Sequence, residues 1–183
     1  MPYLHVPGVK VKARFSKCKK YRYWLDVRKQ EGDRSLQTDL SPSSKSKTAC
    51  VIMMNPSMAN EEIADKSVQF MEKIVLERGL RHFKGVRRLI VVNQFAYIQT
   101  NEFKGLPHEI GPRNNAAIKA AFKESDIIIL GWGCGNKFKA RQDFVLGLLP
   151  ELKGKRFFQT KKHPSRAAYK GFIKKFKRGM TNE

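Results

Sequence analysis

Acidic residues are scarce in this chain. Sixteen Asp and Glu stand against 37 Lys and Arg among 183 residues, a formal net charge of +21. That excess of one sign is far more than solubility needs and attracts polyanions, nucleic acid first among them. Cysteine is scarce too. Cys18, Cys50 and Cys134 are scattered and odd in number, which fits reduced thiols and argues against a disulfide framework. Four clustered ligands for an iron–sulfur cluster or a structural zinc are missing, and no two of the four histidines have metal-ligand spacing. No metal and no cofactor are therefore expected. No apolar run is long enough to cross a bilayer, and the start lacks a charged-then-apolar leader. A cytoplasmic protein of a prokaryotic or phage-infected cell, not bound to membrane, is the expectation.

What is present is enough apolar residue, 41%, for one ordinary domain. Residues 1–20 are basic and are read as an arm on phosphates or an edge segment, ahead of a single domain over 21–183. Tyr21–Leu25 reads as a strand and 30–48, centred on Ser41-Pro42-Ser43-Ser44, as a loop. Short apolar runs at 48–54, 89–92 and 127–130, with 156–160, read as buried strands. Helical spacing appears over 61–79, 114–122 and 137–149, and a basic helix is expected over 167–178. Strands alternating with helices predict a three-layer α/β/α fold around a central, mainly parallel four-stranded sheet.

In such a sheet ligands bind beyond the carboxyl ends of the strands. The residues just past each strand are Asn55-Pro56-Ser57, Asn93, Gly131-Trp132-Gly133 and His163-Pro164-Ser165. Asn55 in a rigid turn can point its amide at a ligand or a water, or close an ordinary Asx turn. An amide at Asn93 offers the donor and acceptor that reading a base edge needs, or caps the strand. His163 is the one histidine in a stiff polar strand-end turn, suited to donating to an anion on a leaving group. The glycines read as tight strand–helix packing; a phosphate loop is excluded because the Gly-Lys-Ser/Thr ending is absent. Cys134 has no obvious base partner and is not taken as a nucleophile. Lys161, Lys162, Arg166 and Lys170 flank His163 and suit phosphates.

The order of these motifs resembles the uracil-DNA glycosylase superfamily. Ile127–Gly133 is similar to that family's third core strand, and Phe158–Ser165, continuing through Tyr169-Lys170-Gly171-Phe172, to its second catalytic motif. From about Tyr21 the chain also resembles a prokaryotic and phage family sharing the Arg-Tyr-x-Leu start, the Asn-Pro-Ser turn and the Trp-Gly strand. The resemblance implies that Asn55 holds the attacking water, Asn93 binds the flipped base, and His163 stabilises the departing base. It places Ser57 and Ser165 on flanking phosphates. Where that family follows His-Pro-Ser with a Pro-Leu wedge, this chain has Arg166 and Ala167. The wedge then falls to Arg166, Tyr169 or another residue. Phe70 and Phe95 are the candidates for stacking on the base, each equally explained as core. Asp65 is a second catalytic candidate or a helix-terminal residue.

The expected function is that of a monomeric, metal-free DNA glycosylase. It would flip a modified or damaged base out of DNA and hydrolyse its N-glycosidic bond, in repair or in defence against phage DNA. The alternatives are a DNA-binding protein that has lost catalysis, and an enzyme on free nucleosides, which would not need so many cations.

Overall fold

The computed structural model describes residues 3–30, 46–133, 135, 137–166, 168 and 170–176. The expected loop around Ser41-Pro42, together with Cys134, Ala167, Tyr169, Lys177 and Arg178, lies outside the described residues. In chain order the elements are β1 (Tyr3–Leu4), β2 (Val9–Phe15), β3 (Arg22–Lys29), β4 (Lys47–Met53), β5 (Ile63–Ala64), α1 (Lys66–Glu72), β6 (Val86–Asn93), α2 (Pro107–Ile110), α3 (Asn114–Glu124), β7 (Ile127–Leu130), α4 (Lys139–Leu148), β8 (Arg156–Thr160) and β9 (Ile173–Lys175).

The sheet corrects the expectation of a central four-stranded, mainly parallel sheet. It is a mixed sheet of seven strands in the order β2-β3-β6-β4-β7-β8-β9, and β1 and β5 form a separate two-stranded sheet. β4 pairs parallel with β6 and β7, and β7 with β8. β2–β3, β3–β6 and β8–β9 pair antiparallel. The physical reasons are local. A short turn over 16–21 joins β2 to β3, closed by Ser16 and Tyr21 (backbone N to O 2.9 Å). A turn that short can make only a hairpin. β9 returns beside β8 after a connection whose only described helical piece is one short 3-10 turn, Pro164–Arg166, and it runs back antiparallel as well.

Residues 1–20 therefore supply an edge strand. Along β2, Val9, Val11, Ala13 and Phe15 are half-buried and Lys10, Lys12 and Arg14 exposed, the period-2 alternation of a strand with one wet face. The expected helix over 167–178 is also corrected. Ile173–Lys175 is a strand; Ile173 packs on one face of the sheet and Phe176 on the other. Two apolar residues three apart fit a helix face, but one on each side of a sheet fits the strand period. The helix expected over 61–79 is shorter. Its residues 63–64 are β5, α1 starts at Lys66, and a wider turn over Lys73–Glu77 continues to Gly79, whose φ is +60°.

The core lies on both faces. Leu25, Val51, Val91 and Ile129 meet Val68, Met71 and Ile74 on the α1 face. Cys50, Ile90 and Ile128 meet Ile118, Phe122 and Val145 on the other. Continuous apolar runs arise because the central strands are buried twice. No helix among the described residues is long and apolar enough to cross a membrane.

Candidate functional site

Past the ends of β4 and β8, next to the start of α1, lies a cavity of about 270 Å³. Its wall comprises Met53, Asn55, Ser57, Asp65, Lys66, Ser67, Gln99, Thr100, His163 and Ser165. Five residues singled out from sequence thus come together: Asn55, Ser57, Asp65, His163 and Ser165. Each is held by a specific local bond. The Asn55 amide nitrogen donates to the Gln99 carbonyl at 2.7 Å and, at 3.4 Å, to that of Pro56. Its Oδ1 accepts nothing among the described residues and remains available. Asp65 is the N-cap of α1: Oδ1 accepts from the Val68 N–H at 2.8 Å and Oδ2 from the Ser57 hydroxyl at 2.6 Å. Satisfying one of the helix's free N–H groups fixes the carboxylate at the cavity wall.

His163 is the most informative residue. Its Nδ1 accepts from the Ser165 backbone N–H at 3.3 Å and sits 2.9 Å from the Ser165 hydroxyl. Burial pushes its pKa below the ordinary imidazole value, and Arg166 adds to that, while the charge of Asp65 works the other way. The ring is therefore neutral at neutral pH. With Nδ1 accepting, the proton belongs on Nε2. That Nε2 is buried and has no hydrogen-bond partner among the described residues. A buried donor without a partner forfeits on the order of 1–3 kcal/mol. The Gln99 Oε1 is buried and unpartnered in the same way, and both residues belong to the cavity wall.

Glycine makes the approach of His163 possible. At Gly133, φ +78°, an added Cβ would stand 2.9 Å from the Lys162 Cα and 3.1 Å from the His163 nitrogen. At Gly131 it would stand 2.9 Å from the Ile52 carbonyl oxygen. The Gly-Trp-Gly turn thus packs β7 tightly on its neighbours and lets the His163 turn close over it.

A family described as "Protein of unknown function (DUF1643)" matches residues 22–166. The chain belongs to that family. No curated protein and no solved structure matches it. The DUF1643 match begins at Arg22 and ends at Arg166, so it takes in every residue of the cavity wall.

Other predicted site residues of this DUF1643 chain fall elsewhere. Asn93, 1% exposed, does not line the cavity but ends β6, paired with the cavity residue Met53. Its Oδ1 accepts from Arg22 Nη2 at 3.4 Å, and its Nδ2 is unpartnered among the described residues. Phe70 packs edge-on to Phe172 at 4.9 Å between ring centres. Phe95 packs on Phe103 and Phe138, 5.0 Å from each. Both are core rings. Lys161, Lys162, Arg166 and Lys170 are exposed beside the cavity turn, and Tyr169 lies outside the described residues.

Sequence reasoning missed Gln99, Thr100, Lys66 and Ser67 in the wall, and Arg22 behind it. Gln99 and Thr100 belong to the connection after β6, which the strand-end rule places at the rim, although they form no motif. Arg22 is 1% exposed; its Nη1 donates to the Ala59 carbonyl at 2.6 Å. Burial pushes its pKa down to about 10, opposed by the charge of Asp65. It ties the loop after Asn55 to the end of β6. Among the described residues no group of three or more His, Cys, Asp or Glu could hold a metal ion.

Proposed function

We propose that the protein is a DNA glycosylase that flips a modified or damaged base into this cavity and hydrolyses its bond to the sugar. The observation that carries the reading is a cavity-wall histidine, His163, whose buried Nε2 has no partner among the described residues, on a wall shared with Asn55 and Asp65. Glycosidic hydrolysis needs a donor where the leaving base gathers negative charge, a fixed acceptor for water, and negative charge near the sugar. The order of the strand-end motifs, similar to the uracil-DNA glycosylase superfamily, and the net charge of +21 support the same reading.

The steps follow from the residues. Asn55 Oδ1 accepts a hydrogen bond from the attacking water. The bond between C1′ and the base nitrogen breaks, and its electron pair leaves with the base. Nε2–H of neutral His163 donates to the base oxygen on which that charge collects. Asp65 stabilises the cationic sugar. The water oxygen bonds to C1′, and one of its protons ends on the released base. Gln99 reads an edge of the base with its amide. Lys66, Ser67, Lys161, Lys162, Arg166 and Lys170 hold phosphates on either side. The protein works as a monomer in the cytoplasm of a prokaryotic or phage-infected cell, in repair or in defence.

A base-release assay tests this. DNAs carrying uracil, mismatched thymine, deaminated purines or modified cytosines are incubated with the protein, then with hot alkali to break abasic sites. Strand breaks with one base, lost in His163→Ala, are the expected result. No breaks with any base, phage-modified DNA included, would overturn the reading.

A further inference from the structure

Four large apolar side chains are exposed among the described residues: Tyr3, Leu4, Met58 and Leu106. Met58 is the most exposed, at 69%, and it directly follows Ser57 of the cavity wall. A single exposed apolar side chain is ordinary on a protein surface. Its mounting is what sets Met58 apart.

Every neighbour of Met58 along the chain is pinned. The Pro56 carbonyl accepts from the Gln99 N–H at 3.1 Å. The Ser57 hydroxyl donates to Asp65 at 2.6 Å. Ala59 is 1% exposed, and its carbonyl accepts from buried Arg22 at 2.6 Å. The Asn60 N–H donates to the Ile63 carbonyl at 2.9 Å, and the Asn60 side chain accepts from the Glu62 and Ile63 N–H groups. The backbone at Met58 is therefore a fixed tip, and only the thioether side chain stands free. Packing within the described fold gives no reason for a large apolar group there. A rigid backbone that carries one flexible, polarisable side chain beside a cavity suits insertion into a narrow apolar slot.

We propose that Met58 is the wedge that enters the base stack of duplex DNA and occupies the space left by the flipped nucleotide. The inference rests on the glycosylase reading above. Apolar side chains, Met among them, enter base steps in this way, and the contacts they gain offset the cost of unstacking. A flipped base leaves two apolar base faces uncovered, and a thioether covers them where water would not. Met58 is thus a positioning residue: it acts on the duplex and touches no reacting atom. A single strand holds no such gap, so Met58 is not needed there.

Binding without cleavage tests it. The probes are a duplex with one tetrahydrofuran abasic analogue flanked by 2-aminopurine, the same duplex intact, and its single strand. Wild type should prefer the tetrahydrofuran duplex and change the 2-aminopurine fluorescence. In Met58→Ala that affinity should fall about tenfold and the fluorescence change should vanish. Binding to the intact duplex and to the single strand should stay as in wild type, and Met58→Leu should restore both signals. Unaltered tetrahydrofuran binding and fluorescence in Met58→Ala, with the wild-type preference present, would overturn the wedge alone. A wild type that shows no preference for the tetrahydrofuran duplex would overturn the glycosylase reading with it.

Discussion

One short helix separates two histidines with opposite fates. At the start of α1, Asp65 faces the cavity with His163; at its end, fully buried Glu72 holds His5. His5 uses both nitrogens. Nδ1 lies 2.6 Å from a Glu72 oxygen and Nε2 lies 2.9 Å from the Asn60 carbonyl, while the Val6 N–H donates to the other Glu72 oxygen at 3.0 Å. Burial alone would lower the His5 pKa; the bond to Glu72, its charge and the backbone carbonyls outweigh this and raise it. His163 is likewise largely buried, yet one nitrogen has no partner and its pKa is lowered. Burial is common to both. The difference lies in the bonds: both His5 nitrogens have partners, whereas His163 Nε2 has none among the described residues. The proposed role of His163 rests on that vacancy and not on burial.

The sharpest way to break this comparison is to remove each imidazole's task. His163→Ala should cut base release by about 10²–10³, the usual loss when one donor to a developing anion is deleted. Its midpoint of chemical denaturation should hardly move, since the lost bonds lie within one turn. Glu72→Gln should do the reverse. Breaking a buried charged pair from one side costs about 3 kcal/mol, so denaturation should show a large loss. Base release per folded molecule should stay as in wild type. Equal effects of the two variants on both readouts would dissolve the distinction.

The pH responses should run in opposite senses. His163 favours its neutral form when folded, so its contribution is present above the ordinary imidazole value near 6.5 and is lost as pH falls through the lowered folded value. Base release should therefore have an acid limb below that value. The His5 value is raised, so its stabilisation is complete below the ordinary value and is lost as pH rises through the folded one. Amide exchange in β1 and β5 should then quicken as pH rises, in excess of the base-catalysed trend of Leu89–Val92. His5→Gln should remove that excess.

The same contrast explains what the sequence disclosed. Asn55, Ser57, Asp65, His163 and Ser165 were legible because each follows a strand or precedes a helix, and a strand-end rule needs only the order of elements. The buried strands β4, β6 and β7 were legible from their unbroken apolar runs. The flanks were legible only in part: Tyr21–Leu25 reads as a strand and residues 1–20 as an arm or an edge segment, but their antiparallel pairing and β9 were not legible. In β2 the period-2 pattern is present as Val9, Val11, Ala13 and Phe15 alternating with Lys10, Lys12 and Arg14, but a basic run next to the chain start reads equally as an arm on phosphates. Phe172, Ile173 and Phe176 fit a helical spacing as well as a strand's. Gln99 and Arg22 were missed for a different reason. Their roles arise from distant partners, Asn55 for one and Ala59 and Asn93 for the other, and no local pattern encodes a partner 37 to 71 residues away.

Gln99→Ala should have a smaller effect than His163→Ala: about a tenfold loss with the preferred base and less with the others, seen by comparing release across the base panel. Such a loss would separate reading of the base from stabilisation of its departure. A uniform loss would assign Gln99 only to holding Asn55 through its backbone.

The smallest effect should come from Ser165→Ala, and it tests the tautomer directly. The Ser165 backbone N–H still donates to His163 Nδ1, so Nε2 keeps its proton and release should fall only about threefold to tenfold. The hydroxyl, 2.9 Å from Nδ1, stabilises the neutral ring when it donates. Its removal should raise the folded His163 pKa and move the acid limb of base release to higher pH. A limb that moves to lower pH would mean that the hydroxyl had been accepting a proton from Nδ1. Nε2 would then carry no hydrogen in the neutral ring, and His163 would be a base toward its ligand and not a donor.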